Sequence, residues 1–292
     1  MADSACRLCP RQCAADRKAG EFGFCRAGEK ARVFRWGPHF GEEPPLVGER
    51  GSGCVFFSRC TMKCAYCQNS PWSWKGGGED KTAGELTEIF RSLAQVDRCE
   101  NWNLVSPTPY LGAIREAVKP LLDEGVRLPF VWNSSGYELV ETLEEYRDLC
   151  DIALFDLRYS KNSTAIRLSA APGYVEAARA AVKWAAANAP RLIVRILVLP
   201  GHAEEAVENL RWLAGEVSNE VELSLMSQYT PAYKALSMPP LDRGVSEEEY
   251  RSVTDEAERL GFENGWIQGF AAADPDSPLL GENMTADHGS VG

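Results

Sequence analysis

Residues 54–67 read CVFFSRCTMKCAYC, a short apolar run followed at once by closely spaced cysteines. The run from Cys54 to Ser58 has the composition and length of a buried strand. Cys60, Cys64 and Cys67 come next, separated by three and then by two residues. Because the loops at the carboxyl ends of strands carry the active sites of α/β barrels, this stretch is the first candidate for a functional site.

Downstream of this stretch, short apolar segments alternate with amphipathic segments, which predicts six consecutive strand-then-helix units. Such alternation is typical of an α/β fold with a parallel sheet and helices outside it, and it fits a partial barrel or a doubly wound sheet. The further predicted strands are Trp102 to Val105, Leu128 to Trp132, Ile152 to Phe155, Leu192 to Leu199, Val221 to Met226 and a short one at Gly265 to Gln268. The predicted helices begin behind a capping box at Thr82 to Glu85 and continue with Leu111 to Leu122, Leu139 to Leu149, Tyr174 to Ala187, Glu205 to Ala214 and Glu247 to Leu260.

The composition divides the chain into three predicted regions. Residues 1–50 are rich in Cys, Gly and Pro without a sustained period, which predicts an irregular, metal-binding module. Residues 51–270 contain the strand–helix units. Residues 271–292 are polar and rich in Gly, Pro and Asp, so we predict a mobile tail.

Charge and hydropathy exclude several classes of protein. The 292 residues include 31 basic and 42 acidic side chains, a formal charge of −11, whereas a general nucleic-acid-binding protein should be basic. With no visible signal peptide and no run of about 18 apolar residues, we expect a cytoplasmic protein with no membrane partner. Ten cysteines in such a protein indicate metal or redox chemistry rather than disulfides.

The cysteine triplet predicts an iron–sulfur cluster with one open coordination position. A [4Fe–4S] cluster normally takes four thiolates, so Cys60, Cys64 and Cys67 would leave one iron free for another ligand. The competing interpretation is a structural zinc site, but zinc takes four ligands in paired spacing and no fourth ligand lies nearby in the usual pattern. We interpret Cys54, inside the predicted strand, as a small core residue.

The Cys-x3-Cys-x2-Cys run, with Tyr66 before its last cysteine and a strand ahead of it, resembles the radical S-adenosylmethionine (SAM) superfamily. The likeness covers roughly residues 5–270 and is nearest to the pyruvate formate-lyase activating enzymes, in a subgroup with an N-terminal cysteine cluster. It implies a partial (β/α)6 TIM-like barrel. It also implies an oxidoreductase of anaerobic metabolism that cleaves SAM at a [4Fe–4S] cluster to a 5′-deoxyadenosyl radical.

The resemblance also implies where SAM would bind, since the contacts in this family lie at successive strand ends. Asn133 stands where the relatives carry an Asp, so a monovalent cation beside the SAM carboxylate would rely on Asp156. Arg195 is the expected partner of that carboxylate. The expected cofactor-binding residues are Tyr66, Ser106, Thr108, Asn133, Ser134, Asp156, Arg195 and Gln228.

A second set of thiols, Cys6, Cys9, Cys13 and Cys25, precedes the barrel. Four thiolates fill a closed site, and both a second [4Fe–4S] cluster and a Zn²⁺ ion fit that number. Residues 1–75 carry 12 basic and 7 acidic side chains, against the acidic balance of the rest. This positive segment would offset anionic clusters and attract an acidic electron donor such as flavodoxin or ferredoxin.

Four functions remain open at this point, and the formal charge of −11 disfavours one of them, a nucleic-acid-modifying enzyme. The first is an activating enzyme that places a glycyl radical on a partner enzyme. The second is a radical SAM enzyme that modifies a peptide or a small molecule. The third is a non-catalytic iron–sulfur or zinc protein that binds a partner through the cysteine-rich module.

Overall fold

The predicted alternation forms a nine-stranded sheet in the computed structural model, which describes residues 5–270. The predicted tail, 271–292, lies outside the described residues. The strands are β1 (Ala31–His39), β2 (Ser52–Phe57), β3 (Glu79–Lys81), β4 (Trp102–Val105), β5 (Phe130–Ser134), β6 (Ile152–Asp156), β7 (Arg191–Leu197), β8 (Glu222–Met226) and β9 (Gly265–Ile267). The helices are α1 (Pro44–Val47), α2 (Ser70–Ser73), α3 (Ala83–Gln95), α4 (Leu111–Asp123), α5 (Val140–Glu145), α6 (Asn162–Ser169), α7 (Tyr174–Asn188), α8 (Ala203–Glu216) and α9 (Glu247–Arg259).

The sheet confirms the prediction of a partial (β/α)6 barrel. Its strand order is β3-β1-β2-β4-β5-β6-β7-β8-β9, and every pair from β2 to β9 is parallel. Parallel neighbours require crossover connections, which the helices supply, so all the carboxyl ends of these strands meet at one rim. The cysteine triplet follows β2 and therefore lies at that rim.

The predicted irregular structure of residues 1–50 is wrong for Ala31–His39. This segment forms β1, which pairs antiparallel with both β2 and β3. Its buried residues recur in the alternating pattern of a strand at Ala31, Val33, Gly37 and His39. The Gly and Pro within it interrupt the apolar alternation, so the sequence pattern did not predict a strand. Pairing with two neighbouring strands stabilises the segment as a strand.

The capping box predicted at Thr82 is present. The Thr82 hydroxyl accepts from the Glu85 backbone N–H, and the Glu85 carboxylate accepts from the Thr82 backbone N–H. Behind it, Leu86, Phe90 and Leu93 recur on one face of α3 and are fully buried, as the helical spacing predicts. Within residues 5–270, no helix has the length and apolar character needed to cross a lipid bilayer.

The floor of the barrel is closed by α1, which lies between β1 and β2. Leu46 on α1 is fully buried and packs against Val131, Leu154 and Ile193, one residue from each of three central strands. This short helix thus replaces solvent at the N-terminal end of the barrel. The preceding residue pair, Glu42 and Glu43, is carried into the interior.

We predict that Leu46→Ala lowers the free energy of unfolding by about 2–5 kcal/mol, because the surrounding strands cannot collapse into the space left by the side chain. Ile166→Ala is the matched control, since Ile166 is 53% exposed and should change stability little. Urea denaturation followed by circular dichroism measures both. Equal stabilities for the two variants would show that α1 does not seal the barrel.

Candidate active site and cysteine centres

The cysteine triplet is held on a loop that is hydrogen-bonded to α6. The backbone N–H groups of Lys63 and Ala65 donate to the carbonyls of Ser169 and Leu168, at 2.9 and 2.7 Å. These two bonds flank Cys64, which is buried, and fix its backbone from both sides. The loop therefore has a defined geometry even though it lacks regular secondary structure.

Burial disfavours the thiolate form of Cys60 and Cys67 in the absence of a metal. It raises the pKa of Cys60 to about 12 and that of Cys67 to about 11, and neighbouring Cys64 adds to both shifts. Since iron binds the thiolate form, cluster assembly has to displace these protons.

Each of the three sulfur atoms has a nearby hydrogen-bond donor. Cys64 Sγ accepts from Arg158 Nη1 at 3.3 Å and from Ser169 Oγ at 3.0 Å. The Ser73 hydroxyl lies 3.2 Å from Cys67 Sγ, and the Met62 N–H donates to Cys60 Sγ at 3.4 Å. Donors of this kind compensate the charge of cluster thiolates, so the residues present fit the iron–sulfur cluster that the spacing predicts.

In residues 5–270 no three His, Cys, Asp or Glu side chains converge as they would around one metal ion. A cubane cluster places each thiolate on a different iron atom, so its ligands surround a volume rather than a point.

An interior cavity of about 390 Å³ connects the triplet to the middle of the barrel. It is concave, polar on several sides and preformed, as ligand sites usually are. The triplet lies at one end, and most of the predicted cofactor-binding residues line the walls. Those lining residues are Ser106, Asn133, Ser134, Asp156, Arg195 and Gln228.

Two of the predicted cofactor-binding residues lie elsewhere. The Thr108 hydroxyl donates to the buried carboxylate of Glu138, with oxygen distances of 2.7 and 2.9 Å. The Tyr66 hydroxyl pairs with that of Tyr159 at 2.6 Å, and its ring lines a second cavity beside Gln228. Both assignments remain predictions, with no contact to the interior cavity to support them.

Two carboxylates, which were not predicted as site residues from the sequence, bind the Arg195 side chain. Its Nε and Nη2 donate to the two Glu43 oxygens at 2.6 Å each, and Nη2 also contacts Glu42. Nη1 donates to Asn133 Oδ1 at 3.2 Å. Burial opposes ionisation of Glu43, but the charge and hydrogen bonds of Arg195 prevail and lower the pKa of that carboxyl.

A second ion pair lies nearer the triplet. Arg158 Nε donates to Asp156 Oδ2 at 3.0 Å while the same guanidinium contacts Cys64. Arg158 was not predicted as a site residue from the sequence. The only sequence signal for it was its place two residues after Asp156, at a strand end.

The four N-terminal cysteines, Cys6, Cys9, Cys13 and Cys25, line one small cavity, and a shared site at these residues remains a prediction. Burial raises the pKa of Cys9 to about 12, and burial also raises that of Cys6. Arg17 Nη2 donates to Cys25 Sγ at 3.6 Å. A side chain at Gly23 would meet Cys13 Sγ at 2.2 Å, so a larger residue there would displace this thiol.

The N-terminal module packs directly on the triplet loop. Arg11 Nε donates to the carbonyl of Thr61 at 2.6 Å, and Thr61, next to Cys60, also lines the N-terminal cavity. The Arg11 guanidinium carbon lies 3.2 Å from the centre of the Phe24 ring, which neighbours Cys25. Arg11 therefore lies between the two groups of cysteines.

The features above define an α/β barrel with a cysteine triplet and a polar cavity at the carboxyl ends of its strands. A family profile described as the radical SAM superfamily matches residues 54–213, more than half of the chain. The chain belongs to the radical SAM superfamily. Membership of this superfamily implies a [4Fe–4S] cluster and SAM as cofactors, and a general chemistry of radical formation from SAM.

One curated relative and several solved structures are similar to the chain. An uncharacterized protein of Methanocaldococcus jannaschii, MJ0674, is 28% identical over 267 residues, which cover 88% of this chain and 75% of the relative. Streptococcus suis SuiB bound to S-adenosylmethionine is 14% identical, with a TM-score of 0.47, over 72% of this chain and 48% of SuiB. A spore photoproduct lyase mutant with bound AdoMet and dinucleoside spore photoproduct is 17% identical, with a TM-score of 0.45, over 73% of this chain and 74% of the lyase. The chain spans about half the length of SuiB.

Glu138 is a buried acid in the wall between the two cysteine centres. Its partner Thr108 lines the N-terminal cavity, and its second neighbour, Ser134, lines the interior cavity. Burial raises the pKa of Glu138 from 4.5 to about 7, although hydrogen bonds from these residues oppose the shift.

Because Glu138 binds its proton more tightly in the folded chain, its ionisation destabilises the fold between pH 4.5 and 7. We predict that Glu138→Gln reduces the loss of unfolding free energy over this interval by about 3 kcal/mol. Chemical denaturation at several pH values measures it, with the exposed Glu141→Gln as the control that should follow the wild type. Identical pH profiles for wild type and Glu138→Gln would contradict the assignment.

Proposed function

We propose that this chain abstracts a hydrogen atom from a partner polypeptide, as an activating enzyme that installs a glycyl radical. When bound, the cluster and SAM supply a 5′-deoxyadenosyl radical as the abstracting species. The observation that carries the radical chemistry is the triplet at the end of β2, facing a cavity lined by the polar ends of further strands. The polypeptide substrate rests on the resemblance of residues 60–67 and of the strand ends to activating enzymes.

A small polar molecule is the second candidate substrate, and one observation favours it. The cavity continues past the predicted SAM residues to Glu42, Glu43 and Ser224 at the barrel floor. Buried polar groups that converge on one space are typical of a small-molecule site.

In this proposal, the walls of the cavity hold SAM. Ser106, Asn133 and Ser134 supply hydrogen-bonding groups for its amino-acid part, and Gln228 supplies one from the opposite wall. Arg158 already occupies Asp156 Oδ2. We therefore propose that this guanidinium provides the positive charge that a monovalent cation would otherwise bring to Asp156.

For the N-terminal cysteines we propose a second [4Fe–4S] cluster, with zinc as the alternative. The contact of Arg11 and Thr61 with both cysteine groups supports a relay, in which one electron passes from the N-terminal cluster to the triplet cluster. A reducing protein supplies that electron and is itself oxidised by one electron.

The electron donor we propose is an acidic protein of the flavodoxin or ferredoxin type. Four basic side chains gather over the two centres: Lys63 lies between Cys60 and Cys64, Arg26 follows Cys25, and Arg11 and Lys234 are their neighbours. Burial and the charges of Arg26, Arg11 and Lys234 lower the pKa of Lys63. On a chain of net charge −11, this basic patch favours an acidic partner.

Anaerobic reconstitution with iron and sulfide tests the cofactor assignments. We expect about eight irons in the wild type, and about four in either Cys60→Ala or the Cys9→Ala/Cys25→Ala variant. With SAM and a small-molecule reductant, Cys60→Ala should lose 5′-deoxyadenosine formation by more than about 100-fold, while the N-terminal variant retains it.

Cys99→Ala, which also removes one buried thiol, is the control and should match the wild type. Full 5′-deoxyadenosine formation by Cys60→Ala would contradict the proposal, and none in the wild type would favour the non-catalytic function. The same assay separates the substrates: a glycyl radical signal in the macromolecular fraction of an extract supports activation, and a modified dialysable compound supports the small molecule.

Reversing the charge of the basic patch should slow the reduction of the cluster only when the electron comes from the protein donor. We predict that Arg26→Glu/Lys234→Glu slows reduction by flavodoxin by about tenfold at low salt, because electrostatic steering is lost. Stopped-flow absorbance of the cluster measures the rate, with Lys119→Glu on the far helix α4 as the control. A rate equal to that of the control would refute this docking site.

A further inference from the structure

We propose that Arg158 and a buried hydroxyl chain, Tyr66–Tyr159–Ser169, raise the reduction potential of the triplet cluster by stabilising the charge on Cys64. These are positioning residues that act through the thiolate ligand. The inference rests on the proposed function only in requiring that the triplet carry its cluster. Neither the cysteine motif nor membership of the superfamily assigns this role to these residues.

The Arg158 side chain and backbone are held in place independently of any ligand. Two guanidinium nitrogens contact Asp156, which orients the remaining Nη1 toward Cys64 Sγ. The backbone N–H donates to the Tyr174 hydroxyl at 3.0 Å, and that hydroxyl lies 2.9 Å from the carbonyls of Ser135 and Asp156. A charged donor fixed in this way stabilises a thiolate more than a neutral donor does.

The hydroxyl chain supplies the second hydrogen-bond donor to Cys64. Ser169 Oγ lies 3.0 Å from Cys64 Sγ, Tyr159 OH lies 2.5 Å from Ser169 Oγ, and Tyr66 OH lies 2.6 Å from Tyr159 OH. Ser169 is fully buried, and Tyr159 is nearly so.

When Cys64 is a thiolate, the hydrogen bonds of the hydroxyl chain can all point in only one direction, toward the sulfur. The thiolate has no proton to donate, so the single proton of Ser169 points to sulfur. Ser169 must then accept from Tyr159, and Tyr159 must accept from Tyr66. A tyrosine hydroxyl ordinarily has a pKa of about 10, so at neutral pH both tyrosines keep the protons that the chain requires.

Cys64 is therefore better stabilised than its two companions. Cys60 has one backbone donor, and Cys67 has a hydroxyl and the Asn69 backbone N–H, all of them neutral. Cys64 instead has a charged guanidinium and a hydroxyl backed by two more hydroxyls. Reduction adds one negative charge to the cluster, and hydrogen bonds to cluster sulfur stabilise the more negative state. The network should thus raise the reduction potential and ease electron uptake.

The test is a redox titration of the full chain, following by electron paramagnetic resonance (EPR) the cluster signal that responds to SAM. We expect Ser169→Ala and Tyr159→Phe to lower the ratio of reduced to oxidised cluster at a fixed potential by at least threefold. Arg158→Gln should lower it by about tenfold, which is 59 mV for one electron. Arg158→Lys should give an intermediate value, because lysine keeps the charge but cannot reach both Asp156 and Cys64 with a planar fork.

Ser160→Ala is the matched control, since the Ser160 hydroxyl donates to Glu208 rather than to a thiol, and its potential should equal that of the wild type. Unchanged potentials in all the network variants, with iron content intact, would overturn the inference. If Ser169→Ala fails to fold, Tyr159→Phe and Arg158→Lys decide the outcome. A wild type without a SAM-responsive signal would instead refute the function assigned to the triplet.

Discussion

Anionic sulfur has to be stabilised away from bulk water, and the structure around Cys64 meets this constraint. An unpaired buried charge would cost several kcal/mol, so the loop could not hold thiolates without nearby donors. The backbone bonds of Lys63 and Ala65 tie the loop to the end of α6, and the Ser169 hydroxyl from the same helix end reaches the sulfur. The placement of α6, and of the strand end that carries Arg158, therefore matters to the cluster as much as the cysteine spacing does.

The barrel interior below the cysteine triplet is polar, and its buried charges have to be paired, which is a second constraint. Arg195 is shared by Glu42, Glu43 and Asn133, and Asn133 Nδ2 donates in turn to Asn103 at 3.2 Å. Removing one member of such a buried set leaves another charge unpaired, which costs about 3–5 kcal/mol. The floor is thus rigid, and the cavity is formed before any ligand enters.

Local patterns predicted the parts of the molecule that depend on neighbours in sequence. The strand–helix alternation, the Thr82 capping box and the thiol spacing are each readable within a few residues, and the fold confirms the first two. β1 was missed because Gly and Pro interrupt its alternation, and only pairing with β2 and β3 reveals it.

Contacts between distant residues account for what could not be predicted in the candidate site. Glu43 meets Arg195 across 152 positions, and Ser169 meets Cys64 across 105. Neither Ser169 nor Tyr159 belongs to a motif, and their importance follows from α6 ending beside the cysteine loop. Thr108 shows the converse: its strand-end position suggested a cofactor contact, but the short 3-10 helix that starts there pairs its hydroxyl with Glu138.

The central claim is that Cys60, Cys64 and Cys67 hold a [4Fe–4S] cluster whose open iron binds SAM, separately from the N-terminal site. EPR of the anaerobically reduced full chain, recorded with and without SAM, tests this most directly. The account predicts a [4Fe–4S] signal that SAM shifts in both the wild type and Cys9→Ala/Cys25→Ala, and that disappears in Cys64→Ala. A signal indifferent to SAM, or a SAM-dependent shift that survives Cys64→Ala, would contradict it.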